Sequence, residues 1–110
     1  MRDSGVRRVI ETQADMNEKS SRGLRKTLKI LYMVLFDLKM FVGEDAWPAY
    51  QNTQETWAVF VESELRIIRK EYEGGSILPL MENERHLELL RWRIRDLRKT
   101  AKKLKAMESR

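Results

Sequence analysis

The sequence predicts an all-α protein, built as an antiparallel bundle of three long helices, or of four if the first helix breaks near Gly23. Apolar residues recur at steps of three and four along most of the chain, and turn-forming residues interrupt this spacing at two places. The composition agrees, because 42% of the residues are hydrophobic and 35% are charged, with five glycines and two prolines. At 110 residues we expect one helical domain, residues 1–110.

The first predicted helix covers about residues 6–42. The run from Ile30 to Phe36 is apolar almost throughout, so we expect it to be the most deeply buried part of this helix. Gly23 is a weak helix former in a polar stretch, and a break there would give the fourth helix. The apolar side chains that share one face are Val6, Ile10, Met16, Leu24, Leu28, Leu31, Val34, Leu35, Leu38 and Phe41.

The second predicted helix covers about residues 46–72. Asp45 has the side chain of an N-cap residue, and Pro48 fits the first turn because its missing N–H has no helical partner there. The apolar positions of this helix are Trp47, Tyr50, Trp57, Phe60, Val61, Leu65, Ile68 and Tyr72.

A tight turn precedes the third predicted helix, which covers about residues 77–106. Gly74 and Gly75 allow the positive φ that a sharp helix exit requires, Ser76 suits an N-cap, and Pro79 suits the first helical turn. Because both connections are short, we expect neighbouring helices to be antiparallel. The seam of the third helix contains Leu80, Leu87, Leu90, Ile94, Leu97, Ala101 and Leu104.

Charge is distributed unevenly along the chain, whose net charge is +5. Residues 1–43 contain nine Lys or Arg against five acidic residues, residues 44–75 contain three against seven, and residues 76–110 contain ten against five. An acidic central helix between two basic helices would neutralise much of their charge. The basic balance is therefore only weak evidence for nucleic-acid binding.

Several kinds of site and location are disfavoured by the sequence. The chain has no cysteine, so it has neither disulfides nor thiolate metal ligands, and His86 is the only histidine. No cofactor is implied, and no apolar run is long enough to span a membrane. We see no signal peptide, which together with the lack of cysteine suggests the cytoplasm, although a mature or trimmed secreted chain would look the same.

Candidate polar residues favour structural roles over catalysis. Glu62 and Glu64 are two residues apart on a helix, so they point in different directions and cannot form an acid–base pair. We expect one of these carboxylates to form an ion pair with Arg93 across the helix interface. We expect His86 to be a half-exposed helical residue, because no activated nucleophile is evident beside it.

Aromatic and methionine side chains divide between the core and the surface. Trp57 lies on the apolar seam and should be core, whereas Trp92 lies off its seam, where we expect it to cover a helix junction rather than to form an exposed contact. More apolar surface lies near the first turn than one core needs, and it predicts a homodimer. The residues concerned are Met33, Met40, Trp47 and Tyr50.

A basic run on the third helix is the observation that favours nucleic-acid binding. Trp92 is available for base stacking beside it. The alternative is a solvated face with cations near the helix C-terminus, where the macrodipole favours them. We favour this alternative and keep nucleic acid as the second hypothesis. The residues of the run are Arg91, Arg93, Arg95, Arg98, Lys99, Lys102, Lys103 and Lys105.

Four short motifs, in order, resemble the lysozyme inhibitor LprI-like family of small helical, usually secreted bacterial domains. They cover about residues 11–100. They are the segment Thr12-Gln13-Ala14-Asp15-Met16-Asn17; Gln54, Trp57 and Phe60, with Glu62 where the family has aspartate; the turn Gly74-Gly75-Ser76 with Pro79; and Leu89-Leu90 followed by Arg93.

The resemblance implies a binding module rather than an enzyme, with a lysozyme-like enzyme as the protein partner. The family's cysteines align with Lys19, Leu65 and Arg85, so its disulfides cannot form here. Their loss argues against the periplasmic or secreted location that the family implies. Leu65 should be buried, whereas Lys19 and Arg85 should face solvent.

An acidic surface on the central helix is the expected contact for such a partner. Common lysozymes are basic, and this chain is basic too, so a local acidic patch is needed for encounter. The candidate partner-binding residues are Glu44, Asp45 and Glu55, with Trp92 as a further candidate.

Overall fold

The computed structural model describes residues 11–108, and within them all regular structure is helical. Helix α1 covers Gln13–Glu71 and helix α2 covers Leu78–Glu108. The all-α prediction is therefore confirmed. We predicted three helices, whereas the structure has two. The reason is that α1 continues through the boundary expected at residues 42–45. The predicted helical residues 6–10 lie outside the described part of the chain.

A single glycine divides α1 into two arms. Gly43 has φ 78° and ψ 171°, a backbone conformation outside the helical region. A straight helix of 59 residues would be about 89 Å long at 1.5 Å per residue, whereas the greatest extent of the molecule is 63 Å. The chain therefore turns sharply at Gly43. We call residues 13–42 the first arm and residues 44–71 the second arm.

The other local predictions near the helix ends are partly wrong. Gly23 lies inside the continuous first arm, so no fourth helix forms. Thr12 and Asp15 form a capping box at the start of α1, in which the Thr12 hydroxyl accepts from the Asp15 N–H at 3.0 Å. Asp45 is exposed and forms no capping hydrogen bond, since the helix resumes directly after Gly43.

The turn between α1 and α2 occupies the predicted position. Gly74 has φ 79°, and a Cβ on Gly75 would lie 3.3 Å from the Tyr72 carbonyl oxygen. Ser76 does not cap α2: its carbonyl accepts from the Asn17 side chain, and its hydroxyl has no protein partner among residues 11–108. The Ile77 carbonyl instead accepts the first helical bond, from Met81 N–H at 3.0 Å, and Pro79 lies in the first turn of α2.

Both arms pack against α2. Leu38 and Leu90 are fully buried at the centre of the main core, to which both helices contribute. That core contains Leu31, Val34 and Leu38 from the first arm and Leu90, Ile94 and Leu97 from α2. A second cluster joins Val61 and Leu65 of the second arm to Leu89 of α2. Trp57 packs against both clusters, which confirms its predicted core position.

The apolar run of the first arm is buried on one face only. Leu31 and Val34 are buried as predicted, but Tyr32, Met33 and Phe36 are among the most exposed apolar residues of the described chain. The expectation that the whole run is buried was therefore wrong, because its residues surround the helix and the core contacts only one side. Within residues 11–108, neither helix has a segment apolar enough to cross a bilayer.

Candidate functional site

Two adjoining grooves carry two of the three acidic residues that the sequence singled out, and Asp45 lines neither of them. Glu55 lines a groove of about 510 Å³, and Glu44 lines one of about 420 Å³. Both grooves include Trp47 and Pro48, so one apolar wall serves both. Trp47 is half-buried against the core, and the Lys39 ammonium lies 5.8 Å from its ring centroid. We call the surface formed by Glu44, Trp47, Pro48 and Glu55 the acidic groove.

The carboxylates of the acidic groove are available to a partner. Glu44, Asp45 and Glu55 are exposed, and the described chain provides no ion-pair partner for any of them. Carboxylates beside an aromatic and a proline side chain combine charge with an apolar contact. Each of the two grooves therefore presents one carboxylate beside the shared apolar wall.

Trp92, the remaining partner-binding candidate, lies in a different groove. It is 47% exposed, so it does not cover a helix junction as the sequence led us to expect. The Arg85 guanidinium lies 5.7 Å from its ring centroid, and the same groove includes Ile68 and Met81. The two grooves that contain Glu44 and Glu55 do not include Trp92. The structure therefore does not combine the four candidates into one site.

Arg93 does not form the ion pair predicted for it. Its Nε donates to the Gln54 side-chain oxygen at 2.9 Å, and no carboxylate within the described residues pairs with it. Burial lowers the pKa of Arg93, while the nearby Asp96 acts in the opposite direction. The bond between Arg93 and Gln54 nevertheless joins α2 to the second arm, as expected. Both residues belong to the motifs of the resemblance.

Glu62 and Glu64, one of which was expected to pair with Arg93, form hydrogen bonds with two other arginines instead. Arg69 donates to Glu62 at 2.9 Å and to Glu82 of α2 at 2.7 Å. Its hydrogen bonds to Glu82 and then Glu62 raise the pKa of Arg69, and the bond from Arg69 holds the pKa of Glu62 below its ordinary value. The spacing of seven residues between Glu62 and Arg69 places them on one face of the second arm. This was the signal that sequence reasoning missed.

The second bridge centres on Arg85, which hydrogen-bonds to Glu64 of the second arm and to Glu88. These bonds raise the pKa of Arg85. Its side chain is only 27% exposed, so the prediction that Arg85 faces solvent was wrong, whereas Lys19 is exposed and Leu65 is buried as expected. Glu62 and Glu64 thus bind different arginines.

The single histidine, His86, lies on α2. His86 is half-buried, and desolvation lowers its pKa, opposed by the charges of Glu82 and Glu62. In the part of the chain that the structure describes, no three His, Asp or Glu side chains lie close enough to hold a metal ion. Phe60, which matched a motif of the resemblance, is 48% exposed and belongs to neither core cluster.

A basic groove runs between the first arm and α2. Its volume is about 670 Å³, with Ile30 and Ile94 among its apolar lining. Arg91, Arg95, Arg98 and Lys102 lie along it at steps of three and four, which places them on one face of α2. None of the four forms an ion pair with an acidic residue of the described chain. The basic run predicted from sequence thus contributes a continuous ridge, from which Arg93 departs to bind Gln54.

Comparisons of the chain with models of protein families, with curated proteins and with solved structures found no match. The resemblance to the LprI-like family thus stays a prediction that depends on the sequence motifs.

Proposed function

We propose that this chain is a non-enzymatic, helical protein-binding module of the kind that the LprI-like resemblance implies. The observation that carries the proposal is the acidic groove, where exposed, unpaired Glu44 and Glu55 flank the apolar pair Trp47 and Pro48. In this proposal the two arms and α2 act together as the antiparallel bundle that the sequence predicts, and the bundle presents the groove.

The proposed partner is a basic protein, with a lysozyme-like enzyme as the specific candidate. A net charge of +5 repels a basic partner at long range, so productive encounter requires a locally negative surface. Glu44, Asp45 and Glu55 supply that surface because no arginine or lysine among residues 11–108 forms an ion pair with them. Pro48 and Trp47 add an apolar contact that excludes water around the charges.

The test is a cell-wall lysis assay, together with a direct binding measurement, for a panel of lysozyme types. The parent protein should bind and inhibit, and Glu55→Lys should weaken both effects. Glu71→Lys is the matched control, because Glu71 is an exposed, unpaired acid of the same arm outside both grooves. Inactivity of the parent on every type and at every salt concentration would reject a lysozyme-like partner.

Equal losses from Glu55→Lys and Glu71→Lys would mean that total charge, rather than the groove, controls binding. That result would reject the acidic groove as the site while leaving a protein partner in place.

Nucleic-acid binding through α2 is the second candidate function. The ridge of Arg91, Arg95, Arg98 and Lys102 favours it, because four unpaired cations on one face can follow a phosphate backbone. In a salt titration against random duplex DNA, affinity should fall steeply with salt, and Arg95→Gln should reduce the slope by about one. Arg66→Gln, which removes an exposed cation from the second arm, should leave the slope unchanged.

A further inference from the structure

The first arm is apolar on two opposite faces near its end. Leu31, Val34 and Leu38 form the buried face. The opposite face carries Tyr32, Met33, Phe36 and Met40, which are 65%, 67%, 65% and 70% exposed. A helix that is apolar on all sides is normally buried on all sides. Only one side of this segment has a partner within the described chain.

The exposed residues form one continuous stripe. Tyr32, Phe36 and Met40 follow each other at four-residue steps, and Met33 lies three residues before Phe36, so all four share an arc of about 100°. Phe36 points almost directly away from the buried face, because it lies two residues from both Val34 and Leu38. We call these four side chains the outer stripe.

We propose that the outer stripe is the interface of a homodimer, in which the first arms of two copies pack antiparallel about a twofold axis near Phe36. In this arrangement Phe36 meets the partner's Phe36, and Tyr32 meets the partner's Met40. The interface is isologous, so each stripe covers the other and the assembly closes at two copies. The inference rests on the stripe and not on the proposed function. Met40 and Glu44 line the smaller groove, so the dimer covers that groove and leaves the Glu55 groove open to another partner.

Charge at the ends of the stripe favours a second copy as the occupant. Lys29 lies three residues before Tyr32, and Glu44 directly follows Gly43, where the first arm ends; both are exposed without an ion-pair partner in the described chain. Antiparallel packing about Phe36 brings Lys29 level with the partner's Gly43, next to its Glu44, and the symmetry repeats this pair at the other end. A parallel arrangement would instead place like charges together.

The area of the stripe agrees with a small dimer interface. Large apolar side chains bury about 150–250 Å² each, so four of them at two-thirds exposure offer about 400–650 Å² per copy. A standard interface buries about 800 Å² per partner. Flanking residues such as Lys29 and Lys39 would supply the remainder, and an interface of this size should dissociate on dilution.

The experiment measures mass by light scattering and sedimentation for the full chain over a range of concentrations, with circular dichroism to verify helicity. The parent should approach twice 13.1 kDa at high concentration, and Phe36→Glu should remain at the monomer mass with unchanged helicity. The control is Val59→Glu on the second arm, which changes an equally exposed apolar residue outside the stripe and should leave the dimer intact.

A charge exchange tests the antiparallel geometry. Lys29→Glu and Glu44→Lys should each weaken the dimer by at least about tenfold in dissociation constant, and the double variant should recover most of the loss. A parent that stays monomeric at every concentration would overturn the proposal. So would a dimer that survives Phe36→Glu, a dimer that Val59→Glu abolishes, or a double variant without recovery.

Discussion

Arg93 of α2 donates its Nε hydrogen to the side-chain oxygen of Gln54, 2.9 Å away on the second arm. The bond joins the two helices where an ion pair was predicted, and its acceptor is neutral. Burial disfavours the charged form of the Arg93 guanidinium and lowers its pKa, and the nearby Asp96 only partly opposes this effect.

We predict that Arg93→Ala lowers the free energy of unfolding by about 1–2 kcal/mol, because it leaves the Gln54 amide without its donor. Arg91→Ala is the control, since Arg91 is exposed and unpaired, and its effect should stay within about 0.5 kcal/mol. Urea titration measures the change in the free energy of unfolding for both variants. In a double-mutant cycle, Gln54→Ala should cost little more once Arg93 is absent, and additive losses would contradict the bond.

We predict that Gly43→Ala and Gly23→Ala have opposite effects on stability. Gly43 has φ 78° and ψ 171°, a region almost restricted to glycine, so alanine there should cost about 1–3 kcal/mol. Gly23 lies in a helix interior with open space around its α-carbon, so alanine there should stabilise by about 0.5–1 kcal/mol. In thermal unfolding, the melting temperature should fall for Gly43→Ala and rise for Gly23→Ala. Two shifts of the same sign would contradict the break at Gly43 or the continuity at Gly23.

We predict that the protein loses stability in acid because Glu62 becomes protonated. Its pKa is lowered from 4.5 by the bond from Arg69, so the unfolded chain binds the proton more tightly than the folded one. The stabilisation is therefore present above pH 4.5 and is lost as the pH falls through the lower folded pKa. Melting temperatures between pH 6 and pH 3 should fall less steeply for Glu62→Gln than for the parent. Glu71→Gln, outside the bridges, should follow the parent.

We predict a second loss of stability, nearer neutral pH, because His86 becomes protonated. Burial lowers its pKa below 6.5, so as the pH falls the unfolded chain takes up the proton first. The stabilisation is present above pH 6.5 and is lost below it. His86→Gln should flatten the change in melting temperature between pH 7.5 and pH 5, and NMR titration of the imidazole should give a midpoint below 6.5. A midpoint above 6.5 would reverse the sign and reject the assignment.

Local patterns in the sequence were enough to predict the all-α class, the buried helix faces and the turn before α2, but not the number of helices. The three-four spacing placed Leu31, Leu38, Leu90 and Ile94 on buried faces, because burial in a helix follows its own period. Gly74 adopted the predicted positive φ, because glycine is the residue that adopts it without strain. Capping was less predictable: Ser76 and Asp45 have suitable side chains, but α2 starts at Leu78 and α1 resumes directly after Gly43.

The sequence by itself determined an all-α chain with a reversal at Gly74-Gly75, because helical period and turn chemistry are local properties. Only the tertiary structure decided which arginine meets which carboxylate, since Arg69, Arg85 and Arg93 all had the reach and the register selected among them. It also decided which side of the first arm stays exposed. Phe36 is as apolar as Leu31 and Leu38, and only the position of α2 separates a core face from an outer stripe.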